Sequence, residues 1–222
     1  MRIDAPAKIN LGLEVVRKRP DGYHDIRTLF QEISLADVLE IEALPARRIE
    51  LEGDDPSIPW DETNLVLRAA RALQDSTGSG LGAALRVTKR IPAGGGLGGG
   101  SSDAAAALAG LNEVWKTGLG RDDLADLGRR LGADVPYFLH GGLCLGEERG
   151  DRLTELTDLP PLPVVLALPP FPVPTALVYR SLSAAALFGA WAAIAIPEIF
   201  TCVPRSPAFG KTIRTASAHA FC

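Results

Sequence analysis

The chain is poor in cysteine, has no excess of basic residues and lacks an apolar run long enough to cross a bilayer. Its three cysteines, Cys144, Cys202 and Cys222, are far apart, odd in number and without metal-ligand spacing. That pattern argues against a disulfide framework or a structural zinc site and suits reduced cytosolic thiols. A formal net charge of −4 and a pI near 5.4 leave no electrostatic footprint for nucleic acid or an anionic membrane surface. An anionic ligand must therefore be held by local positive groups. The apolar run from Ser183 to Ile196 falls short of the about 20 residues a membrane span needs, and Pro197 ends it. Met1 leads directly into strand-like sequence, so no signal peptide or transit segment is expected. No internal repeat is visible, and low complexity is confined to one glycine-rich stretch. What is present is ample for a core, since 46% of the 222 residues are hydrophobic, which allows one large domain or two small ones.

The glycine-rich stretch carries the chemistry. Ile91 to Asp103 reads Ile-Pro-Ala-Gly-Gly-Gly-Leu-Gly-Gly-Gly-Ser-Ser-Asp. Before it, Leu85 to Ile91 alternates apolar and polar residues like a half-buried strand, and after it Ala104 to Trp115 has helical periodicity. Ala104, Ala107, Leu108, Leu111, Val114 and Trp115 form one apolar stripe, so the loop is tied to a packed helix and is not a linker. Glycines let backbone N–H groups face an anion without Cβ atoms in the way, and the free donors and dipole of the first helical turn attract phosphate. Ser101, Ser102 and Asp103 are each suitable N-caps, and the serine hydroxyls can reach phosphate or its metal. A Walker loop would continue into Gly-Lys-Ser/Thr and a dinucleotide loop would follow an N-terminal strand. No lysine follows these glycines, and the loop lies mid-chain.

The remaining pattern is one of strands, turns and short helices. Residues 2 to 16 alternate, with Ile3, Ala5, Ala7, Ile9, Leu11, Leu13 and Val15 on one face and Lys8, Asn10, Gly12 and Glu14 on the other. Lys8 and Asn10 thus point the same way, roughly 7 Å apart along a strand. Pro20-Asp21-Gly22 is a turn that presents Tyr23 and His24 at the start of a second extended stretch, running through Phe30 to Ile33. A further strand is predicted over Val38 to Ala43, and the polar segment from Ala46 to Trp60 reads as a loop. Asp61 or Thr63 can cap a helix ended by Gly78 or Gly80. Asp122 can cap a short helix for which Gly132 supplies the C′ position. Asp134 then stands between two helical segments, because Pro136 favours the first turn of the second. Gly141-Gly142 and Gly146 break the strands that follow. Residues 159 to 174 hold seven prolines around the strand-like Val164 to Leu168 and mark the expected boundary between a domain over 1–158 and a second unit over 159–222.

Five segments in order carry a resemblance: Pro6 to Leu11, Asp21 to His24, Thr28 to Phe30, Pro92 to Ser102, and Leu131 to Pro136. With them, about residues 1 to 182 resemble the GHMP kinase superfamily and, within it, the branch that phosphorylates a cytidine diphosphate-linked methylerythritol of the non-mevalonate isoprenoid pathway. The resemblance implies an α+β GHMP kinase fold, with an N-terminal domain like the second domain of ribosomal protein S5 and an incomplete ferredoxin-like C-terminal domain. It implies ATP as phosphoryl donor, Mg2+ carried with the nucleotide, and transfer to the 2-hydroxyl of the substrate. Asp134 takes the place of the family's proton-accepting aspartate and Lys8 that of its partner lysine. The ATP site is expected to include Pro92, Ala93, Gly94, Gly95, Gly96, Leu97, Gly98, Gly99, Gly100, Ser101 and Ser102, with Asn64 and Lys89 near the adenine. Asn10, Tyr23, His24 and Phe30 are expected around the substrate, Tyr23 stacking on the base and His24 bonding its edge. A different small-molecule kinase of the superfamily would share the glycine loop but tolerate loss of Tyr23 and His24. A nucleotide-binding remnant would bind ATP without turnover.

After about Leu182 the likeness stops. Relatives continue for a second domain with a late glycine-rich segment, whereas here an apolar run and a proline- and serine-containing stretch follow, read either as a buried helix or as the product of a reading-frame change or truncation.

Overall fold

The computed structural model describes residues 1–168. The apolar run from Ser183, the tail after about residue 182, and Cys202 and Cys222 lie outside these residues, as does most of the expected second unit.

Two long strands form the backbone of the fold. β1 (Arg2–Lys18) pairs antiparallel with β2 (His24–Leu44) along almost its whole length. The other edge of β2 is shared: its C-terminal half pairs with β4 (Gly82–Thr88) and its N-terminal half with β5 (Leu143–Glu147). β3 (Ile49–Gly53) lies parallel to β4, and β6 (Arg152–Glu155) closes the other end beside β5. Helices α1 (Leu65–Thr77), α2 (Gly99–Val114) and α3 (Arg121–Leu131) bury their apolar sides in one core with Leu39, Ile41, Leu85 and Val87 of the sheet. A short α4 (Val135–His140) packs against α2 and α3. The fold is α+β, as expected.

Several local expectations change. The two strands predicted over Tyr23 to Ile33 and Val38 to Ala43 are one strand, which absorbs the break in pattern through a register shift opposite Pro6 and Ala7. A second shift between Asn10 and Gly12 leaves Leu11 as the extra residue, and it is 45% exposed instead of sharing the buried face with Ile9 and Leu13. The segment from Ala46 to Trp60 is not all loop, because Ile49–Gly53 finds a parallel partner in β4, 34 residues away at Ile49 and Ala83. Asn64, rather than Asp61 or Thr63, caps α1 by accepting from the Val66 N–H at 2.9 Å, while the Asp61 carboxylate is spent on Thr63. Gly78 ends that helix in the left-handed conformation. α2 begins earlier than its serines suggest: Gly98 is its N-cap, and Ser101, Ser102 and Asp103 lie inside it. Gly120 rather than Asp122 precedes α3, with its N–H donated to the Asp123 carboxylate, and Gly132 follows it in an extended conformation that any residue adopts. The strand predicted at Val164 to Leu168 forms no ladder, since only Val165 makes an isolated bridge after three prolines that interrupt pairing. Leu166 and Leu168 nevertheless pack onto Ala7, Ile9, Ile91 and Leu97 beside the glycine loop.

Candidate active site

β1 and the glycine loop are bound to each other at the centre of the site, where the Lys8 N–H donates to the Leu97 carbonyl at 3.0 Å. Along the loop the left-handed residues alternate, with positive φ at Gly94, Gly96 and Gly98 and not at Gly95 or Leu97. Such alternation is the backbone pattern from which anion-binding concavities are built. Gly98 is tightly constrained. A Cβ there would lie 2.6 Å from Cζ of Phe138 and 3.3 Å from Cγ of Lys8. The concavity opens into a cleft of about 980 Å³ and leads directly into α2, so the helix's first N–H groups and positive dipole end share the space.

On the floor of the cleft, the Lys8 ammonium donates to Oδ1 of Asn10 at 2.7 Å and stands 3.8 Å from Oδ2 of Asp134. The expectation that Lys8 and Asn10 share a face therefore agrees with the geometry. Asn10 is oriented by a relay: its Nδ2 donates to Thr28 Oγ1 at 2.6 Å, and that buried hydroxyl donates to the Gly12 carbonyl at 2.8 Å. Asp134 is the N-cap residue of α4, with Pro136 in the first turn. Lys8 is only 6% exposed and Asp134 34%, so the carboxylate faces the open cleft while the ammonium sits beneath it. The Phe30 ring, 5.5 Å from the ammonium, walls off its other side.

At the far end the turn after β1 places Tyr23, 56% exposed, and His24 on the cleft wall. Asp21 accepts from the Tyr23 N–H at 3.0 Å and from Arg19, and the first of these holds its carboxyl below the usual carboxylate range. The Arg149 guanidinium, paired with Asp151, lies 5.5 Å from the Tyr23 ring. Asn64, Lys89, Pro59 and Trp60 also line the cleft. Lys89 is turned inward: its ammonium is hydrogen-bonded to Asp37 and, at 2.7 Å, to Asp103. Burial alone would lower the Lys89 pKa, but the two carboxylates outweigh it and the net direction is up. Burial, and secondarily the neighbouring Asp37, pushes Asp103 up to about 7 against the opposing pull of Lys89. Ser102 is buried away from the cleft, unlike Ser101.

The cleft thus brings together every residue singled out in the sequence except Ser102. Sequence reasoning missed Asp37, Trp60 and Arg149. Asp37 looks like a surface aspartate between strands, and only the merging of those strands into β2 buries it. Arg149 sits in the β5–β6 turn, remote in sequence from the tyrosine it approaches. Among the described residues no cluster of three or more His, Cys, Asp or Glu side chains converges as a protein-held metal would require. No helix among them is long and apolar enough to cross a membrane.

Residues 64–142 match the family described as GHMP kinases N terminal domain. The chain is 46% identical over 183 residues to a 4-diphosphocytidyl-2-C-methyl-D-erythritol kinase of Geobacillus kaustophilus, which covers 82% of this chain and 63% of that protein. It is 49% identical over 177 residues to the kinase of the same name from Pelotomaculum thermopropionicum, covering 80% of this chain and 62% of that one. Against a crystal structure of 4-(cytidine 5'-diphospho)-2C-methyl-D-erythritol kinase it has a TM-score of 0.73 at 42% identity, covering 83% of this chain and 65% of that one. The chain therefore spans a little under two thirds of the length of these relatives. It shares the fold of that crystal structure, and residues 64–142, which match the GHMP kinases N terminal domain, lie inside a longer stretch similar to the 4-diphosphocytidyl-2-C-methyl-D-erythritol kinases.

Proposed function

We propose that this chain is an ATP-dependent kinase that phosphorylates the 2-hydroxyl of 4-diphosphocytidyl-2-C-methyl-D-erythritol. The observation that carries the proposal is the placing of an ammonium–carboxylate pair, Lys8 and Asp134, on the floor of the same cleft that the glycine loop rims. Phosphoryl transfer through a loose transition state needs positioning and charge stabilisation more than covalent chemistry. The loop N–H groups would hold the triphosphate, and Lys8 would both orient Asp134 and offset charge on the transferring group. Asp134 would accept the proton of the substrate hydroxyl. Asn10, locked by Thr28, would orient that hydroxyl. The 34% exposure of Asp134 leaves it accessible to substrate, while the burial of Lys8 strengthens its field.

Tyr23 and His24 would take the cytosine, the exposed ring stacking on the base. Asn64 would approach the adenine from the other end of the cleft. Magnesium is a hard cation that takes oxygen ligands and usually arrives with nucleotide phosphates. The Ser101 hydroxyl on the cleft wall is a donor of that kind.

The test is phosphorus NMR of the full chain with ATP, magnesium and either the cytidine substrate or methylerythritol phosphate without a base. The cytidine compound is expected to gain a phosphomonoester signal and the baseless one to gain far less. Equal phosphorylation of both would favour another small-molecule kinase of the superfamily, and ATP binding without transfer would favour a nucleotide-binding remnant.

A further inference from the structure

Behind the glycine loop lies a buried ionic cluster that the proposed phosphoryl transfer does not use. The β2–β4 ladder ends at Val38 and Thr88. One residue earlier in β2, fully buried Asp37 continues it with a side chain: one carboxylate oxygen accepts the backbone N–H groups of Arg90 at 2.5 Å and Ile91 at 2.8 Å. Those two residues open the glycine loop. The other oxygen of Asp37 accepts from the Lys89 ammonium, which also reaches Asp103 at 2.7 Å on α2, where the loop ends. Both ends of the loop are thereby tied to the central strand, the start by the Asp37 carboxylate itself and the α2 end through the Lys89 ammonium. A buried carboxylate that lost these donors would be left with an uncompensated charge, so the cluster has one favourable arrangement.

We infer that Asp37 is a positioning residue for nucleotide binding, holding the start of the glycine loop directly and the first turns of α2 through Lys89 and Asp103, so that the loop N–H groups converge on the phosphates. The inference rests on the reading of the loop as the ATP site. It also gives Lys89 a task different from adenine contact: its side chain is 7% exposed and its ammonium is engaged by two carboxylates. A cradle whose ends drift loses the preorganisation that makes its N–H groups effective.

Calorimetric titration of the full chain with ATP, GTP and tripolyphosphate, together with KM and kcat, tests this on Asp37→Asn, Lys89→Met, their double variant and Lys89→Arg. Asp37→Asn and Lys89→Met are each expected to weaken ATP and tripolyphosphate by a similar factor of at least about tenfold, with the ATP to GTP ratio retained and the loss falling on KM for ATP rather than kcat. The double variant should be no weaker than the poorer single one, because either change breaks the same cluster. Lys89→Arg, which keeps the charge, should recover part of the binding. Should Asp37→Asn not fold, the two Lys89 variants give the same readouts. Undiminished tripolyphosphate binding would overturn the inference, and so would an altered ATP to GTP ratio confined to Lys89→Met, which would return Lys89 to the base. Absence of ATP binding by the unmodified chain would overturn the nucleotide reading together with it, whereas normal binding by both chain and variants would overturn this inference alone.

Discussion

Replacing Gly98 by alanine adds one methyl group against the Phe138 ring and the Lys8 side chain. Gly98 has φ +76°, and its added Cβ would fall 2.6 and 2.8 Å from two carbons of the Phe138 ring. A left-handed backbone costs an alanine about 1–2 kcal/mol. Forcing a methyl into packed surroundings adds about 1–3 kcal/mol. The sum, about 2–5 kcal/mol, is a large fraction of the about 5–15 kcal/mol that holds a typical domain folded. Relief of the clash must move Phe138, in α4, or the loop itself. ATP affinity is therefore expected to fall by more than the stability loss alone would cause, while the protein still folds at room temperature. Gly100→Ala is the internal comparison: φ is not positive there and the nearest atom to the new Cβ is Cδ1 of Leu65 at 3.9 Å, so stability should be unchanged or slightly raised. Urea unfolding of both variants, with ATP titration of each, provides the measurement. Equal stability and equal ATP affinity of Gly98→Ala and the parent chain would refute the reasoning.

Two further outcomes follow from the geometry. Tyr23→Ala should weaken the cytidine substrate by about 1–3 kcal/mol in KM or direct binding and leave ATP affinity unaltered, the scale of base–aromatic stacking; equal losses for both ligands would contradict the division of the cleft. Asp103 has its folded-state pKa raised to about 7, so between the ordinary carboxylate range and pH 7 the folded chain holds a proton that the unfolded chain has released. Stability attributable to this group therefore falls as pH rises through that window. Asp103→Asn lacks the titration, so its stability relative to the parent should improve from pH 5 to pH 8, by an amount on the order of a few kcal/mol at most. A pH-independent difference in denaturant midpoints would show that Asp103 is ionised throughout.

More of the candidate site was legible in the sequence than of the sheet that holds it. The glycine loop, the strand face shared by Lys8 and Asn10, and the position of Asp134 between two helices follow from local chemistry: glycine's freedom, period-two alternation and proline at a helix start. β3 escaped notice because the alternating Ile49–Gly53 is only five residues long and is set in an otherwise polar segment, and its pairing with β4 is settled by long-range contact. β2 appeared as two strands because a register shift interrupts its alternation. The caps at Asn64 and Gly98 were misassigned because adjacent residues are equally good cappers, and the choice depends on which carboxylate or amide is already engaged. The pairing of Asp37 with Lys89 was opaque for the same reason. Nothing local distinguishes a buried ion pair from two surface charges 52 residues apart.

The unity of Lys8 and Asp134 is the central claim, and a double-mutant cycle on phosphoryl transfer tests it most directly. Lys8→Ala and Asp134→Asn are each expected to lower kcat by about two orders of magnitude or more with ATP affinity little altered, and the double variant should be hardly worse than either, as for groups that act as one unit. Losses that multiply in the double variant, or that appear in ATP binding instead of turnover, would contradict the account.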